Sequence, residues 1–139
     1  MKINEVTDFT KHIMVEDTVE ITTAMLNKLE QYLDQLFSKV GMDVEFSRHF
    51  LDRANDARNQ TQITLKELAI LFKDAYTKYG KRIAQMGPDA QAVIKDMRSD
   101  INVPFVLNWD SRNNELDLVA KTVMRKKNFT TPDQELSLQ

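Results

Sequence analysis

The sequence contains no cysteine, only three glycines and three prolines, and no apolar run long enough to cross a membrane. Without cysteine it can form no disulfide, no thiolate metal site and no cysteine nucleophile, which fits a reducing cytoplasm. A membrane span needs about 20 consecutive apolar residues, and the first eight residues lack the basic and apolar segments of a signal peptide. We therefore expect a cytoplasmic protein with no membrane partner.

Several catalytic and binding motifs are absent as well. The two histidines, His12 and His49, have no cysteine or HExxH pattern beside them, so a structural zinc site is not expected. The three glycines form no phosphate-binding loop, and there is no Gly-x-Ser-x-Gly turn of a serine hydrolase. We expect neither a metal nor a cofactor.

The length of 139 residues, with 42% hydrophobic and 29% charged residues, predicts one globular domain over 1–139. The net charge of −2 conceals an asymmetry, because residues 1–46 carry a balance of −5 and residues 47–131 a balance of +5. An uneven solvated surface accounts for this difference. A basic part that meets an anion, beside an acidic part that covers it or contacts a protein, accounts for it equally.

The first half of the chain has the pattern of helices after an irregular arm over 1–20. From residue 22 to residue 40 the apolar residues recur at spacings of three and four, which places them on one helix face. Gly41 follows as the left-handed residue that commonly ends a helix. The spacing predicts a helix over 22–40.

Two further helices are predicted before the middle of the chain. Ser47 is suited to cap a helix over Arg48–Ala57. Thr64 and Glu67 form a capping box, a hydroxyl residue followed three positions later by Glu, and open a helix that Gly80 is expected to end.

The second half has the pattern of strands. Residues 103–109 are β-branched and aromatic, residues 115–124 alternate, and the turn residues between them predict a hairpin. Residues 135–138 fit one more strand, while residues 89–97 fit a helix and a strand equally. Pro104 favours an edge strand or a strand start, because proline cannot donate to a ladder.

Helices followed by antiparallel strands predict an α+β domain. The helices of residues 21–80 are expected to pack on one face of a small antiparallel β-sheet formed by residues 81–139. The whole of 1–139 then forms a single domain.

The first candidate site lies on the predicted second helix. His49 and Arg53 are four residues apart and share a helix face, with Asp52 and Asp56 on the adjoining one. A histidine beside an arginine can serve as a general acid or base while the guanidinium holds a phosphate. A surface helix with internal Asp–Arg and Asp–His pairs has the same pattern, so both interpretations stay open.

The second candidate site is the segment KTVMRKKNFTT at residues 121–131. Cationic side chains supply most sequence-independent affinity for nucleic acid, and an aromatic ring can stack an unpaired base. Lysine is also common at strand edges, where it prevents pairing with another chain. The candidate residues of this segment are Lys121, Arg125, Lys126, Lys127, Phe129, Thr130 and Thr131.

The segments SRHFLDRANDARN and ELDLVAKTVMRKKNFTTP resemble a group of small bacteriophage proteins of uncharacterised function. That group combines a Ser-x-His-Phe-x-Asp-Arg helix with a closing strand that ends in Met-Arg-Lys-Lys-x-Phe. The resemblance covers roughly residues 43–133. The order of helices and strands is also similar to the barnase/EndoU/colicin/RelE-like ribonuclease fold.

This second likeness implies metal-independent cleavage of RNA in the host cytoplasm. It assigns His49 the role of general acid or base. It assigns Arg53, Lys121 and Arg125 to the scissile phosphate and allows a hydrogen bond from Thr130 or Thr131. The nuclease hypothesis requires the imidazole of His49 and the guanidinium of Arg125 to meet in one cleft.

A different class of function also fits the sequence. The acidic N-terminal region and the long amphipathic helix 22–40 are compatible with a non-enzymatic phage protein, either a virion component or a binder of a host or phage protein. DNA-binding regulation has less support, because no predicted helix is both strongly basic and plainly exposed.

Overall fold

The computed structural model describes residues 20–139, so the predicted arm lies outside the described residues except for Glu20. The described chain has α+β architecture, as predicted. Its helices and strands are α1 Thr23–Phe37, β1 Met42–Phe46, α2 Phe50–Ala54, α3 Leu65–Met86, β2 Gln91–Asp96, β3 Ile101–Asp110, β4 Glu115–Ala120, β5 Met124–Arg125 and β6 Gln134–Leu138.

The first predicted helix is confirmed, with a change in its last turn. The backbone N–H of Met25 donates to the hydroxyl of Thr22 at 3.1 Å, which caps α1. The chain then tightens into a 3-10 turn over Ser38–Val40. Gly41 has a φ of +76°, a left-handed conformation that glycine adopts without steric cost, and it ends the turn.

The capping box of α3 is confirmed, but the predicted end of this helix at Gly80 is wrong. The backbone N–H of Glu67 donates to Thr64 at 3.0 Å, and Glu67 accepts from the N–H of Thr64 at 3.1 Å. The helix continues through Gly80 to Met86. Gly80 is buried, and a Cβ there would lie 3.1 Å from the Tyr76 ring, so this glycine gives the ring room.

The predicted helix over Arg48–Ala57 is much shorter than expected. α2 covers only Phe50–Ala54, and Ser47 does not cap it. The N–H of Ser47 donates to the carbonyl of Ala120 at 3.0 Å, and its hydroxyl donates to the carbonyl of Lys121. Long-range hydrogen bonds to the end of β4 therefore replace the local helix cap at Ser47.

The six strands form one open sheet in the order β1-β4-β3-β2-β6, with β5 beside β3. The prediction of an antiparallel sheet from the C-terminal half is wrong in two respects. β1 comes from the N-terminal half and is parallel to β4, and β6 is parallel to β2. Residues 91–96, which the sequence left open, form a strand.

Pro104 lies in the central strand β3, not at the edge that was expected. Its carbonyl accepts from the N–H of Lys121 at 2.9 Å, so the proline nitrogen faces the same side. β4 has already ended at Ala120 there, and β5 begins only at Met124. The missing N–H of Pro104 therefore falls at a gap in the ladder, where a central strand tolerates proline.

α1 and α3 pack on one face of the sheet, as predicted. The residues of β3 that point to this face, Ile101, Val103, Phe105 and Leu107, are fully buried. α1 also protects the edge strand, because Asp34 accepts from the backbone N–H of Val44 at 2.8 Å. Among residues 20–139 no helix has the length and apolarity that a bilayer span requires.

Candidate nucleic-acid interface

A cleft of about 890 Å³ opens where the chain leaves β4 and passes opposite α2. The predicted strand over 115–124 breaks at this point, because residues 121–123 belong to neither β4 nor β5. One wall of the cleft is α2 with the turn after it, and the other is the segment 121–127. The cleft is lined by His49, Arg53, Asp56, Arg58, Asn59, Gln60, Lys121, Thr122, Val123, Met124, Arg125, Lys126 and Lys127.

The lining is strongly cationic. It holds six arginine and lysine residues against one carboxylate, that of Asp56. The structure therefore brings His49 and Arg53 of the first candidate site into one cleft with Lys121 and Arg125 of the second. Such an excess of positive charge attracts anions, and a concave surface strengthens the attraction.

The Arg125 guanidinium is not available to a phosphate in this arrangement. Nη1 and Nη2 bind the two carboxylate oxygens of Glu67 at 3.1 and 2.7 Å. The remaining N–H groups donate to the carbonyls of Thr61, Gln62 and Ser99 at 3.2, 3.0 and 2.9 Å. All five guanidinium donors are thus used within the protein. Arg125 fastens β5 to the start of α3.

Asp56 is held by the two arginines beside it. Arg58 Nη2 lies 2.7 Å from Asp56 Oδ2, and Arg53 Nη1 lies 3.8 Å from the same oxygen. The hydrogen bonds from Arg58 lower the pKa of Asp56 to about 2. The carboxylate stays ionised at neutral pH and offsets part of the charge of Arg58. Its low pKa also makes it a weak proton acceptor.

The side chain of His49 is exposed at the start of α2. It makes no hydrogen bond or ion pair with any other residue of the described range 20–139. The imidazole is therefore accessible to a ligand in the cleft, and nothing in that range fixes its orientation.

The wall formed by residues 121–127, called the outer wall below, carries three exposed or half-exposed lysines. Lys126 and Lys127 are exposed at the rim and form no ion pair within residues 20–139. Lys121 donates from Nζ to Gln91 Oε1 at 2.9 Å, a neutral partner that leaves its charge uncompensated.

Phe129, Thr130 and Thr131 lie beyond the cleft lining. The carbonyl of Phe129 accepts from Lys95 Nζ at 2.8 Å, and the hydroxyl of Thr131 accepts from the N–H of Asp133 at 3.1 Å. These contacts direct the segment 129–131 towards β2 and β6. Neither threonine is among the residues that line the cleft, and the hydrogen bond to a phosphate that was expected from Thr130 or Thr131 stays a prediction.

Two buried asparagines position the walls, and sequence reasoning missed both. Asn59 is 6% exposed, donates to the carbonyl of Arg53 at 2.8 Å and accepts from the N–H of Arg125 at 2.9 Å. Asn102 is 2% exposed and donates to the carbonyls of Met124 and Lys126 at 3.3 and 3.0 Å. Asn59 lies in a stretch whose polarity indicates only a loop, and Asn102 lies at a strand start, so no local pattern marks either.

Comparison of the chain with protein-family models, with curated proteins and with solved structures found no match. The geometry of the cleft is therefore what bears on function.

Proposed function

We propose that this protein binds RNA through the phosphodiester backbone, in the cleft between α2 and residues 121–127. The observation that carries the proposal is a single concave surface in which five cationic side chains face one carboxylate, with Arg125 left out of the count because Glu67 pairs with it. Contacts of this kind to phosphates supply most of the affinity of sequence-independent binding.

The individual side chains contribute differently. Arg53, Lys126 and Lys127 are exposed and are the principal phosphate ligands. Lys121, at the start of the segment 121–127, adds its charge to the same wall as Lys126 and Lys127. Arg125 serves the site by holding the outer wall in place, because its donors are occupied.

RNA cleavage is the further step of the proposal, and it rests on His49. The imidazole would take the proton of a ribose 2′-hydroxyl, whose oxygen attacks the adjacent phosphorus while the bond to the 5′-oxygen breaks. The leaving 5′-oxygen would take up a proton from solvent, and the imidazolium of His49 would release its proton to solvent, which restores the charge balance. The lining holds one imidazole, and Asp56 is a weak base, so binding has more support from the geometry than cleavage. The resemblance to bacteriophage proteins and the host-cytoplasmic location stay predictions.

The test is binding of a fluorescein-labelled single-stranded RNA, followed by anisotropy between about 50 and 200 mM salt. Each lost phosphate contact reduces the slope of log K against log salt by about 0.7 for a single strand. The double variant Lys126→Gln/Lys127→Gln should therefore weaken binding and reduce the slope by about 1.4.

The matched control is Lys28→Gln/Lys81→Gln, which removes the same charge from exposed lysines outside the cleft and should bind like the wild type. Equal losses in the two double variants would contradict a site at the cleft. The absence of binding at the lowest salt would overturn the proposal and favour the non-enzymatic, protein-binding alternative. Equal affinity for single-stranded DNA would exclude recognition of the ribose.

A further inference from the structure

A second charged surface lies on the sheet face that points away from α1 and α3. In β1, Asp43 and Glu45 alternate with the buried Met42 and Val44, so the two acidic residues lie on the other side of the strand from the core, and Asp43, at the sheet edge, also reaches Asp34 of α1. The neighbouring strands add three more acidic residues to this face. We call the five residues the acidic cluster: Asp43, Glu45, Asp110, Glu115 and Asp117.

The strand register places like charges directly side by side. Asp43 is the partner of Asp117 in the parallel pair of β1 and β4, and Asp110 is the partner of Glu115 in the antiparallel pair of β3 and β4. Like charges in such positions destabilise a sheet. Within residues 20–139 no lysine or arginine forms an ion pair with any member of the cluster.

The spacing of the carboxylates fits a common cation. Carboxylate oxygens of Asp43, Glu45 and Asp117 all lie within 4.8 Å of one another, and the same holds for Asp110, Glu115 and Asp117. Ca²⁺ binds oxygen at about 2.3–2.6 Å, so two ligands on opposite sides of one ion are about 5 Å apart. Asp117 belongs to both groups and lies at the centre of the cluster.

Asp117 gives a second and separate indication. Its residue surface is only 8% exposed, and its Oδ1 has no hydrogen-bond partner within the described range 20–139. A buried carboxylate oxygen without a donor is costly, and native structures seldom keep one unless an ion or water satisfies it. The charged groups that act on the Asp117 carboxyl are those of the other four members of the acidic cluster, so a cation would satisfy it.

From this geometry we infer that the protein binds a hard divalent cation, of the Ca²⁺ and Mg²⁺ class, through Asp43, Glu45 and Asp117. Oxygen ligands alone select such cations over zinc and copper, for which nitrogen and sulfur ligands are typical. This departs from the expectation of a metal-free protein, which rested on the absence of zinc motifs. The site is separate from the cationic cleft, and the inference does not depend on RNA binding.

Binding the ion would join the edge strand β1 to β4. Asp43 also shares a hydrogen bond with Asp34 of α1, so the ion would compete with that contact for one carboxyl oxygen. Neutralising the cluster removes the repulsion between the two strands. The cation should therefore raise the stability of the folded protein as well as bind to it.

The test is a titration of the chelator-treated full chain with CaCl₂, MgCl₂ and MnCl₂ by isothermal calorimetry, together with the melting temperature in each salt. We expect one ion per chain for at least one cation and a melting temperature that rises with its concentration. Asp117→Asn should reduce affinity at least tenfold and abolish most of the rise. Asp52→Asn, which removes an exposed carboxylate on α2, should behave as the wild type.

Asp43→Asn provides a second ligand variant, so the test does not depend on the folding of one protein. Without the ion, either ligand variant should melt at the wild-type temperature or above it, because a like charge has been removed. No saturable binding of any of the three cations would overturn the inference. Equal affinities in the wild type and both ligand variants would overturn it too, since they would show diffuse attraction to an acidic surface.

Discussion

Arg125 and Glu67 form a two-point ion pair across the rear of the cleft, with Nη2 and Nη1 2.7 and 3.1 Å from the two carboxylate oxygens. The side chain of Arg125 is 15% exposed and that of Glu67 is 31% exposed. Glu67 is also the capping-box residue of α3, so this one carboxylate both starts the helix and anchors β5. The pair connects the local signal for a helix to the position of the candidate site.

Arg125→Met should destabilise the protein by about 2–3 kcal/mol, because it removes the cation paired with Glu67 and takes the donor from Glu67 Oε2 and from three carbonyls. Urea unfolding monitored by circular dichroism would measure the loss. Arg58→Gln, at an exposed ion pair of the same cleft, should cost far less. Comparable losses in the two variants would show that Arg125 is not a structural residue.

His49→Ala should abolish RNA cleavage and leave RNA binding largely intact, because the imidazole is the candidate proton acceptor and the arginines and lysines of the cleft supply the phosphate contacts. The measurement is the decay of a labelled RNA in parallel with its anisotropy titration. Unchanged cleavage would remove His49 from the mechanism without affecting the binding proposal. A parallel loss of binding and cleavage would indicate that His49 is a ligand contact.

Stability should fall as the pH rises from about 5 to 8. Burial, reinforced by the hydrogen bond with Asp43, raises the pKa of Asp34 to about 7, and burial among carboxylates raises that of Asp117 to about 6. Since an unfolded Asp has a pKa near 3.9, the folded state holds more protons across this range, and each proton lost costs stability. Asp56, with a pKa of about 2, does not titrate in this range.

Asp34→Asn keeps an acceptor for the Val44 N–H and cannot ionise, so it should flatten this dependence. Urea unfolding at several pH values, in buffer with chelator, would measure the slope, and Asp52→Asn provides the control. A wild-type stability that increases towards pH 8 would contradict the assignment. An undiminished slope in Asp34→Asn would contradict it as well.

Gly41→Ala should destabilise the protein by about 1–2 kcal/mol, because a residue with a Cβ is strained at a φ of +76°. No atom outside Gly41 and its two chain neighbours lies within 4 Å of the added Cβ, so the strain of the backbone is the only cost. Gly41→Asn should cost less, since asparagine tolerates this conformation better. Thermal melts of both variants would show the order, and equal effects would contradict the conformational explanation.

The starts of α1 and α3 and the hairpin could be predicted because their causes are local. Thr22 and Thr64 meet their partners three residues on, and the left-handed Gly41 depends on its own backbone. The helix ends were less predictable. Gly80 lies inside α3, where its missing Cβ leaves room for the Tyr76 ring, and does not end the helix. At Ser47 a sheet contact more than 70 residues away displaces the local cap.

Residue type and spacing along the chain were enough to predict the α+β class and to select five of the six cationic residues that line the cleft, all except Arg58, because those properties depend on neighbours a few positions apart. Four features depended on the folded arrangement. They are the parallel pairing of β1 with β4, the ion pair that occupies Arg125, the hydrogen bond from Arg125 to Asn59, and the position of Asp43 beside Asp117. These contacts join residues at least 58 positions apart. Local hydrogen bonding and periodicity do not specify which distant segments meet; the packing of the whole chain does.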